Sequence, residues 1–226
     1  MMVKYITDTG WYTEYACTDA LAWTTYLWNS RSLIFSGNYI YTKHQELQEI
    51  STWFVLRDLM ECGSIEEIIT KIKKVKHASG FNLNIIDTKI NRAYSIELYI
   101  DRVSVIEITD KLVHTNHFLH LENDTDFYPK HTNTKQRLMK TNELLNSYDM
   151  NKITIGDIKA ILEYSNDDYT QTIHVNKGRG MHDESLTAAL FLFDSKTDTI
   201  IIHDYLENAK MTFRLYNGTC EQAVPS

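Results

Sequence analysis

Three short apolar runs in the middle of the chain constrain its fold more than any other feature. They cover residues 81–87, 93–99 and 103–109, and short polar turns separate them. Runs of this length, rich in β-branched and aromatic residues and bounded by turn residues, are typical of paired strands. The sequence therefore predicts a sheet in this region, which a fourth strand at 111–119 continues.

Helical periodicity appears before and after this sheet. Apolar residues recur every three or four positions from His44 to Cys62, Gly63 is placed to end that helix, and Ser64 to Glu67 has the spacing of a capping box that starts a second one. The other predicted elements are β structure within 3–28, a strand at 33–41 in which Gly37 marks a bulge or a close backbone approach, helices at 134–147 and 154–164, and a hairpin of strands 187–194 and 199–204. Alternating groups of strands and helices predict a layered α+β domain.

Composition favours one soluble domain spanning residues 1–226. The chain is 43% apolar and 23% charged, which suffices for one sizeable core. Its net charge of −7 argues against a nucleic-acid partner, and no apolar run is long enough to span a membrane. Three scattered cysteines, Cys17, Cys62 and Cys220, fit a reducing compartment better than a disulfide framework. We therefore expect a cytoplasmic protein.

The predicted strand at 111–119 carries polar side chains where its neighbours carry apolar ones. Burying an amide or an imidazole without a partner costs about 1–3 kcal/mol, so such groups join a hydrogen-bond network or face a ligand. In a strand, His114 and Asn116 would share one face, and we predict Asn116 as the principal functional residue. His117 would point away from His114 and His120, so a shared metal ion is not expected.

The segment Val113–Phe118, Val-His-Thr-Asn-His-Phe, resembles a signature of the acyl-CoA:6-aminopenicillanate acyltransferase family. These enzymes are cysteine N-terminal-nucleophile hydrolases, and they include the enzyme that removes β-alanine from N-β-alanyldopamine. Other segments resemble the family in the same order, namely 29–38 (Asn-x-x-Gly-Leu, with Ser32 in place of the Gly), 78–83 with Asn82, 135–138, and 186–194. The resemblance covers almost the whole chain.

The resemblance implies both a fold and a reaction. The fold would be the four-layer αββα sandwich of N-terminal-nucleophile hydrolases. The reaction would be hydrolysis or acyl transfer at a linear amide bond of a small N-acyl substrate, through a cysteine acyl-enzyme and without a cofactor. In this class the nucleophile's own α-amine acts as its base.

The family's nucleophilic cysteine has no clear counterpart in the sequence. Cys17 is a weak candidate, since it lies too close to Leu33 for the two or three strands that the family places between nucleophile and motif, and Ala16 replaces the preceding Gly. We therefore expect the chain to lack the family's first strands. The nucleophile would then belong to an upstream or separately made N-terminal fragment.

The resemblance also implies supporting catalytic residues. Asn116 matches an Asn that helps to bind the oxyanion, Asn29 matches another Asn near the site, and Arg137 matches an Arg that anchors charge near the nucleophile. On spacing alone, Asn116 could equally be an Asn that bonds only to backbone. Asn29 would by itself pass as a turn residue, and an Arg at position 137 is more often a solvated helix cation. His114 and Asn38 are candidate substrate-binding residues, although Asn38 also fits a turn.

Two functions from different classes remain open. The first is a cysteine-dependent amide hydrolase or acyltransferase whose nucleophile is absent from this chain. The second is a non-catalytic relative that keeps the fold, with or without a small-molecule pocket. A minor third reading makes Cys17 an internal nucleophile, and labelling of this thiol would identify it.

Overall fold

The computed structural model describes residues 2–15, 26–46, 48–122, 133–165, 189–194, 199–204, 209–216 and 219–222. The chain forms two compact units, Met1–His131 and Thr132–Ser226. Units of this kind can be parts of one domain as readily as separate domains. The single domain over residues 1–226 therefore stays a prediction.

A seven-stranded antiparallel meander forms the first unit. Its strands are β1 (Met2–Thr7), β2 (Gly10–Tyr15), β3 (Tyr26–Asn29), β4 (Leu33–Ile40), β5 (His77–Asp87), β6 (Arg92–Ile100) and β7 (Arg102–Ile108). Each strand pairs with its neighbour in sequence, and the sheet has no crossover. The three strands predicted from the central apolar runs are confirmed as β5, β6 and β7.

Two helices between β4 and β5 cover one face of this sheet. They are α1 (Thr52–Leu59) and α2 (Ile65–Ile72), and their buried side chains join those of the sheet in one apolar core. Helix α1 begins later than the sequence predicted, because the residues before it bond to the start of β5. Glu46 N–H donates to the Ala78 carbonyl, and Ala78 N–H donates to the Ile50 carbonyl.

The start of α2 shows half of the predicted capping box. The Ser64 side chain accepts a hydrogen bond from Glu67 N–H at 3.2 Å, as the spacing predicted. The Glu67 carboxylate, however, accepts from Gly63 N–H at 2.8 Å rather than from Ser64 N–H. Ser64 and Glu67 therefore cap the helix N-terminus as predicted, but the Glu67 carboxylate binds the N–H of Gly63, one residue before the expected partner.

The predicted strand at 111–119 is wrong, since this segment has irregular backbone. Its later residues bond to side chains of the sheet instead of extending the ladder: Leu119 N–H donates to Glu97, and the Ser104 hydroxyl donates to the His120 carbonyl. His117, which we expected to point away from His114 and His120, is buried beside Thr115. His114 and His120 both lie at the Glu97 carboxylate.

In the described part of the second unit there are two helices and a four-stranded antiparallel sheet. Its elements are α3 (Asn133–Asn146), α4 (Ile155–Leu162), β8 (Ala189–Asp194), β9 (Thr199–Asp204), β10 (Ala209–Tyr216) and β11 (Thr219–Gln222), with sheet order β11-β10-β9-β8. Both predicted helices and the predicted hairpin are confirmed, whereas β10 and β11 were not predicted. Among the described helices of the whole chain, none is long and apolar enough to cross a membrane.

Candidate active site

Polar side chains line the sheet face that α1 and α2 leave uncovered. Strand register places Asn38, Asn82, Glu97 and Ser104 side by side across β4 to β7, and we call these four residues the polar row. Asn82 and Glu97 are completely buried. Within the described residues, the Asn82 amide oxygen has no hydrogen-bond partner. Sequence reasoning singled out Asn38 and Asn82 but missed Glu97 and Ser104.

The Glu97 carboxylate is the most heavily bonded group on this face. One oxygen accepts from His114 Nε2 at 2.7 Å and from Leu119 N–H at 2.6 Å. The other accepts from His120 N–H at 2.9 Å and from Leu121 N–H at 2.6 Å. Burial alone would raise the pKa of Glu97, but these donors hold it below its usual value. Glu97 is therefore ionised at neutral pH, and the four donors use its full accepting capacity.

The side chain of His114, a predicted substrate-binding residue, is only 2% exposed and donates from Nε2 to Glu97. Its Nδ1 is buried and has no partner within the described ranges. Because the carboxylate is ionised, Nε2 carries the hydrogen, so Nδ1 is an acceptor in the neutral ring. A role in substrate binding stays a prediction, since the bond to Glu97 already gives His114 a structural role.

His120 lies on the other side of the same carboxylate. Its Nδ1 is 2.8 Å from the Ser104 hydroxyl, and its Nε2 is 3.2 Å from the Ser95 hydroxyl. Burial lowers the pKa of His120, although Glu97 opposes that shift. The ring is therefore held as a neutral hydrogen-bonding group between two serines.

Two reciprocal hydrogen bonds join β4 to the irregular segment. Asn38 Nδ2 donates to the Thr115 carbonyl at 2.7 Å, and Asn116 Nδ2 donates to the Tyr39 carbonyl at 2.8 Å. We call this pair of bonds the asparagine clasp. It brings together Asn38 and Asn116, two of the residues predicted from the sequence, and His114 lies next to it in the chain. Their functional roles stay predictions.

Asn29 has a different setting, at the last position of β3 before the turn to β4. Its Nδ2 donates to the Met60 carbonyl at 2.9 Å and to the Cys62 carbonyl at 2.8 Å. Its Oδ1 accepts from Arg31 N–H at 3.0 Å and from Leu33 N–H at 3.1 Å. These bonds tie the turn to the end of α1, so Asn29 has a structural role. Its predicted catalytic role stays a prediction.

Ser32 occupies the position where the resembled motif has Gly. Its φ is 70°, in the left-handed region that favours glycine. The turn keeps this conformation with Ser because the surrounding bonds hold it, including those from the Thr88 backbone N–H and hydroxyl to the Ser32 carbonyl. The motif's Gly is thus explained by backbone geometry, and its replacement leaves the turn intact.

The described chain includes one cysteine side chain, that of Cys62, which is free and completely buried. Burial raises the pKa of its thiol to about 11. A buried thiol with so high a pKa is a poor nucleophile at neutral pH. Cys17 lies outside the described residues, and Cys220 lies on β11, of which the backbone is described.

Arg137 lies on α3, in the second unit, where it is partly buried and its backbone carbonyl accepts from the Thr141 hydroxyl at 2.8 Å. Its predicted role in anchoring charge near the nucleophile stays a prediction.

Within the described ranges, no group of three or more His, Cys, Asp and Glu side chains is placed to hold a metal ion.

Solved structures with the same fold define the class of this protein. A mutant of the conjugated bile acid hydrolase from Clostridium perfringens matches with a TM-score of 0.55 at 12% identity, covering 96% of this chain and 82% of that chain. A second variant of that hydrolase matches with a TM-score of 0.56 at 12% identity and the same coverage of 96% and 82%. The chain therefore has the α+β fold of the N-terminal-nucleophile hydrolases, as the resemblance implied.

The sequence itself matches the family described as acyl-coenzyme A:6-aminopenicillanic acid acyl-transferase over residues 1–209. This match spans most of the chain, and the protein belongs to that family. A search among curated proteins finds no significant match. The family assignment inferred from the segment around Asn116 is confirmed.

Proposed function

We propose that the protein takes part in hydrolysis or acyl transfer at a linear amide bond of a small N-acyl compound, through a cysteine acyl-enzyme. The family match over residues 1–209 carries this proposal. The asparagine clasp supports it, because it fixes the Asn116 amide within the segment that resembles the family signature. The fold shared with a hydrolase is a second support.

In the proposed reaction, a cysteine thiolate attacks the amide carbonyl carbon and negative charge develops on the carbonyl oxygen. Asn116 is the proposed donor to that oxygen. An amide nitrogen carries two hydrogens, so the bond to the Tyr39 carbonyl can orient the group for this role. The leaving amine departs with a proton, and water or a second amine then takes the acyl group from sulfur.

The nucleophile of this reaction is not Cys62, because its thiol is buried and has a pKa of about 11. We propose a cysteine outside the described residues. Cys17 is one candidate, and a cysteine carried on an N-terminal fragment is the other. Mapping the 5′ end of the transcript tests the second candidate, by asking whether in-frame sequence with a cysteine precedes residue 1.

The substrate class is best tested with compounds named by the relatives. A suitable panel contains a conjugated bile acid, 6-aminopenicillanic acid with an acyl-coenzyme A, and simple N-acyl amino acids. Release of free amine from the amide substrates and release of the coenzyme A thiol from the acyl-coenzyme A pair are followed by fluorescence, and acyl adducts on cysteine by mass spectrometry of the intact protein. Amine release with an adduct on a cysteine supports the proposal. Neither signal, with the natural gene product in full, contradicts it and favours the non-catalytic relative.

The role of Asn116 has its own test. Removing an oxyanion donor costs about 100- to 1,000-fold in kcat, and we expect Asn116→Ala to lower kcat by that order while KM changes little. Asn151→Ala, at an exposed turn position, is the matched control and should leave both constants unchanged. An Asn116→Ala protein with the kcat of the wild type would remove Asn116 from the reaction.

A further inference from the structure

We propose that Glu97 is a positioning residue, whose buried carboxylate anchors residues 114–121 and thereby sets the direction of the Asn116 amide. Its effect on catalysis rests on the proposed function, whereas the anchoring itself does not. No feature of the sequence signature includes Glu97, which lies on β6 between two apolar residues, Ile96 and Leu98. The inference follows from what the carboxylate touches.

The carboxylate holds the segment on both sides of Asn116. Before Asn116, His114 donates from Nε2 at 2.7 Å. After it, the backbone N–H groups of Leu119, His120 and Leu121 donate at 2.6, 2.9 and 2.6 Å. One rigid strand residue therefore fixes both flanks of the loop, and the residues between them have little freedom to shift.

The backbone bonds to Glu97 take the place of strand pairing at residues 119–121. Backbone N–H groups need acceptors when they are buried, and a carboxylate makes shorter and stronger bonds than a carbonyl. Three consecutive N–H groups converging on one carboxylate impose a tight curve on the backbone. The segment therefore takes its irregular course because Glu97 is ionised and completely buried beneath it.

The asparagine clasp depends on the same arrangement. Asn38 Nδ2 bonds to the Thr115 carbonyl and Asn116 Nδ2 to the Tyr39 carbonyl, next to the anchored His114. Each clasp bond is a neutral amide–carbonyl bond, weaker than the charge-assisted bonds to Glu97. If the anchor is lost, the clasp alone has to hold the segment.

Glu97→Gln tests the proposal with little change in volume. The amide keeps one accepting oxygen but turns an N–H₂ group toward two of the former donors. Glu107→Gln is the matched control, since Glu107 is exposed on β7 and pairs with Arg92. The two readouts are kcat and KM for amide hydrolysis, and hydrogen–deuterium exchange of the peptide that covers 112–122.

We expect Glu97→Gln to lower kcat roughly 10- to 100-fold with KM within about twofold, because a displacement of about 1 Å in a catalytic group costs a rate factor of that order. Exchange should rise in 112–122 and stay unchanged in β5 and β6. Glu107→Gln should alter neither readout. Unchanged exchange in 112–122, or increased exchange with unchanged kcat in an active enzyme, would overturn the proposal.

Failure of the proposed function would look different. A natural gene product that, tested in full, shows no amide hydrolysis would reject that function, and exchange in 112–122 alone would then decide the anchoring. If Glu97→Gln does not fold, His114 provides a second pair of variants. His114→Gln keeps an N–H donor toward Glu97 and His114→Leu removes it, so exchange in 112–122 should rise more in the Leu variant. Equal exchange in both variants would contradict the anchor.

Discussion

Asn29→Ala should act mainly on stability, by lowering the free energy of unfolding, and only secondarily on catalysis. Its side chain makes four hydrogen bonds, to the carbonyls of Met60 and Cys62 and to the N–H groups of Arg31 and Leu33. A buried hydrogen bond contributes about 0.5–1.5 kcal/mol net to stability. In the Ala variant, water that enters part of the vacated space can bond to some of the four former partners and offset part of the loss. We expect a loss of about 2–4 kcal/mol in the free energy of unfolding.

Urea unfolding followed by circular dichroism measures this loss. Asn151→Ala, at an exposed position, is the control and should change the free energy of unfolding by less than about 0.5 kcal/mol.

Asn29→Asp refines the test, because it keeps both accepting bonds but turns an oxygen toward two carbonyl oxygens. Its loss should equal or exceed that of Asn29→Ala. A loss below about 1 kcal/mol for Asn29→Ala, together with a large fall in activity, would refute the structural role and favour the catalytic one.

Three further predictions concern single positions in the first unit. Ser32→Gly should raise the free energy of unfolding by about 0.5–1 kcal/mol, because φ at this position is 70°, where Gly is unstrained and Ser is not. Thermal unfolding measures the change, and a fall in the free energy of unfolding would show that Ser32 is not strained. Gly37→Ala should lower the free energy of unfolding by about 1–3 kcal/mol, since an added Cβ would lie 2.5 Å from the Asn82 carbonyl oxygen. The control is Gly156→Ala in α4, which should leave the free energy of unfolding unchanged or raise it. Iodoacetamide at pH 8 should label Cys62 far more slowly in the folded protein than in urea, because the folded thiol has a pKa of about 11; equal rates measured by mass spectrometry would show an accessible thiolate.

The parts of the fold that the sequence predicted are those whose signals are local. Strands β5 to β7 come from the local apolar runs, and α4 follows its N-cap Thr154, where the capping box with Asp157 is complete. Gly37 was assigned either a bulge or a close backbone approach. The second is confirmed, because the register of β4 with β5 runs without interruption past it.

The parts that the sequence did not predict depend on distant partners. The segment 111–119 has the composition of a strand, yet its His114 side chain and its last backbone N–H, that of Leu119, bond to a carboxylate on β6. A Glu in an apolar strand was visible in the sequence, but nothing local shows that Glu97 accepts from residues more than fifteen positions away. Asn29 likewise bonds to carbonyls beyond α1. The roles of Glu97 and Asn29 therefore become visible only in the folded structure, because their partners are distant in sequence.

The order of strands in the first unit has a consequence for how quickly it folds. Most neighbours in the meander are close in sequence, so their pairing costs little loop-closure entropy. The exception is the pairing of β4 with β5, which encloses both helices between Ile40 and His77. Among the strand pairings of this sheet, that step brings together the residues most distant in sequence, and it unites the Asn38 and Glu97 halves of the polar row. We therefore expect the closing of this one long loop to limit the rate at which the chain assembles the polar row.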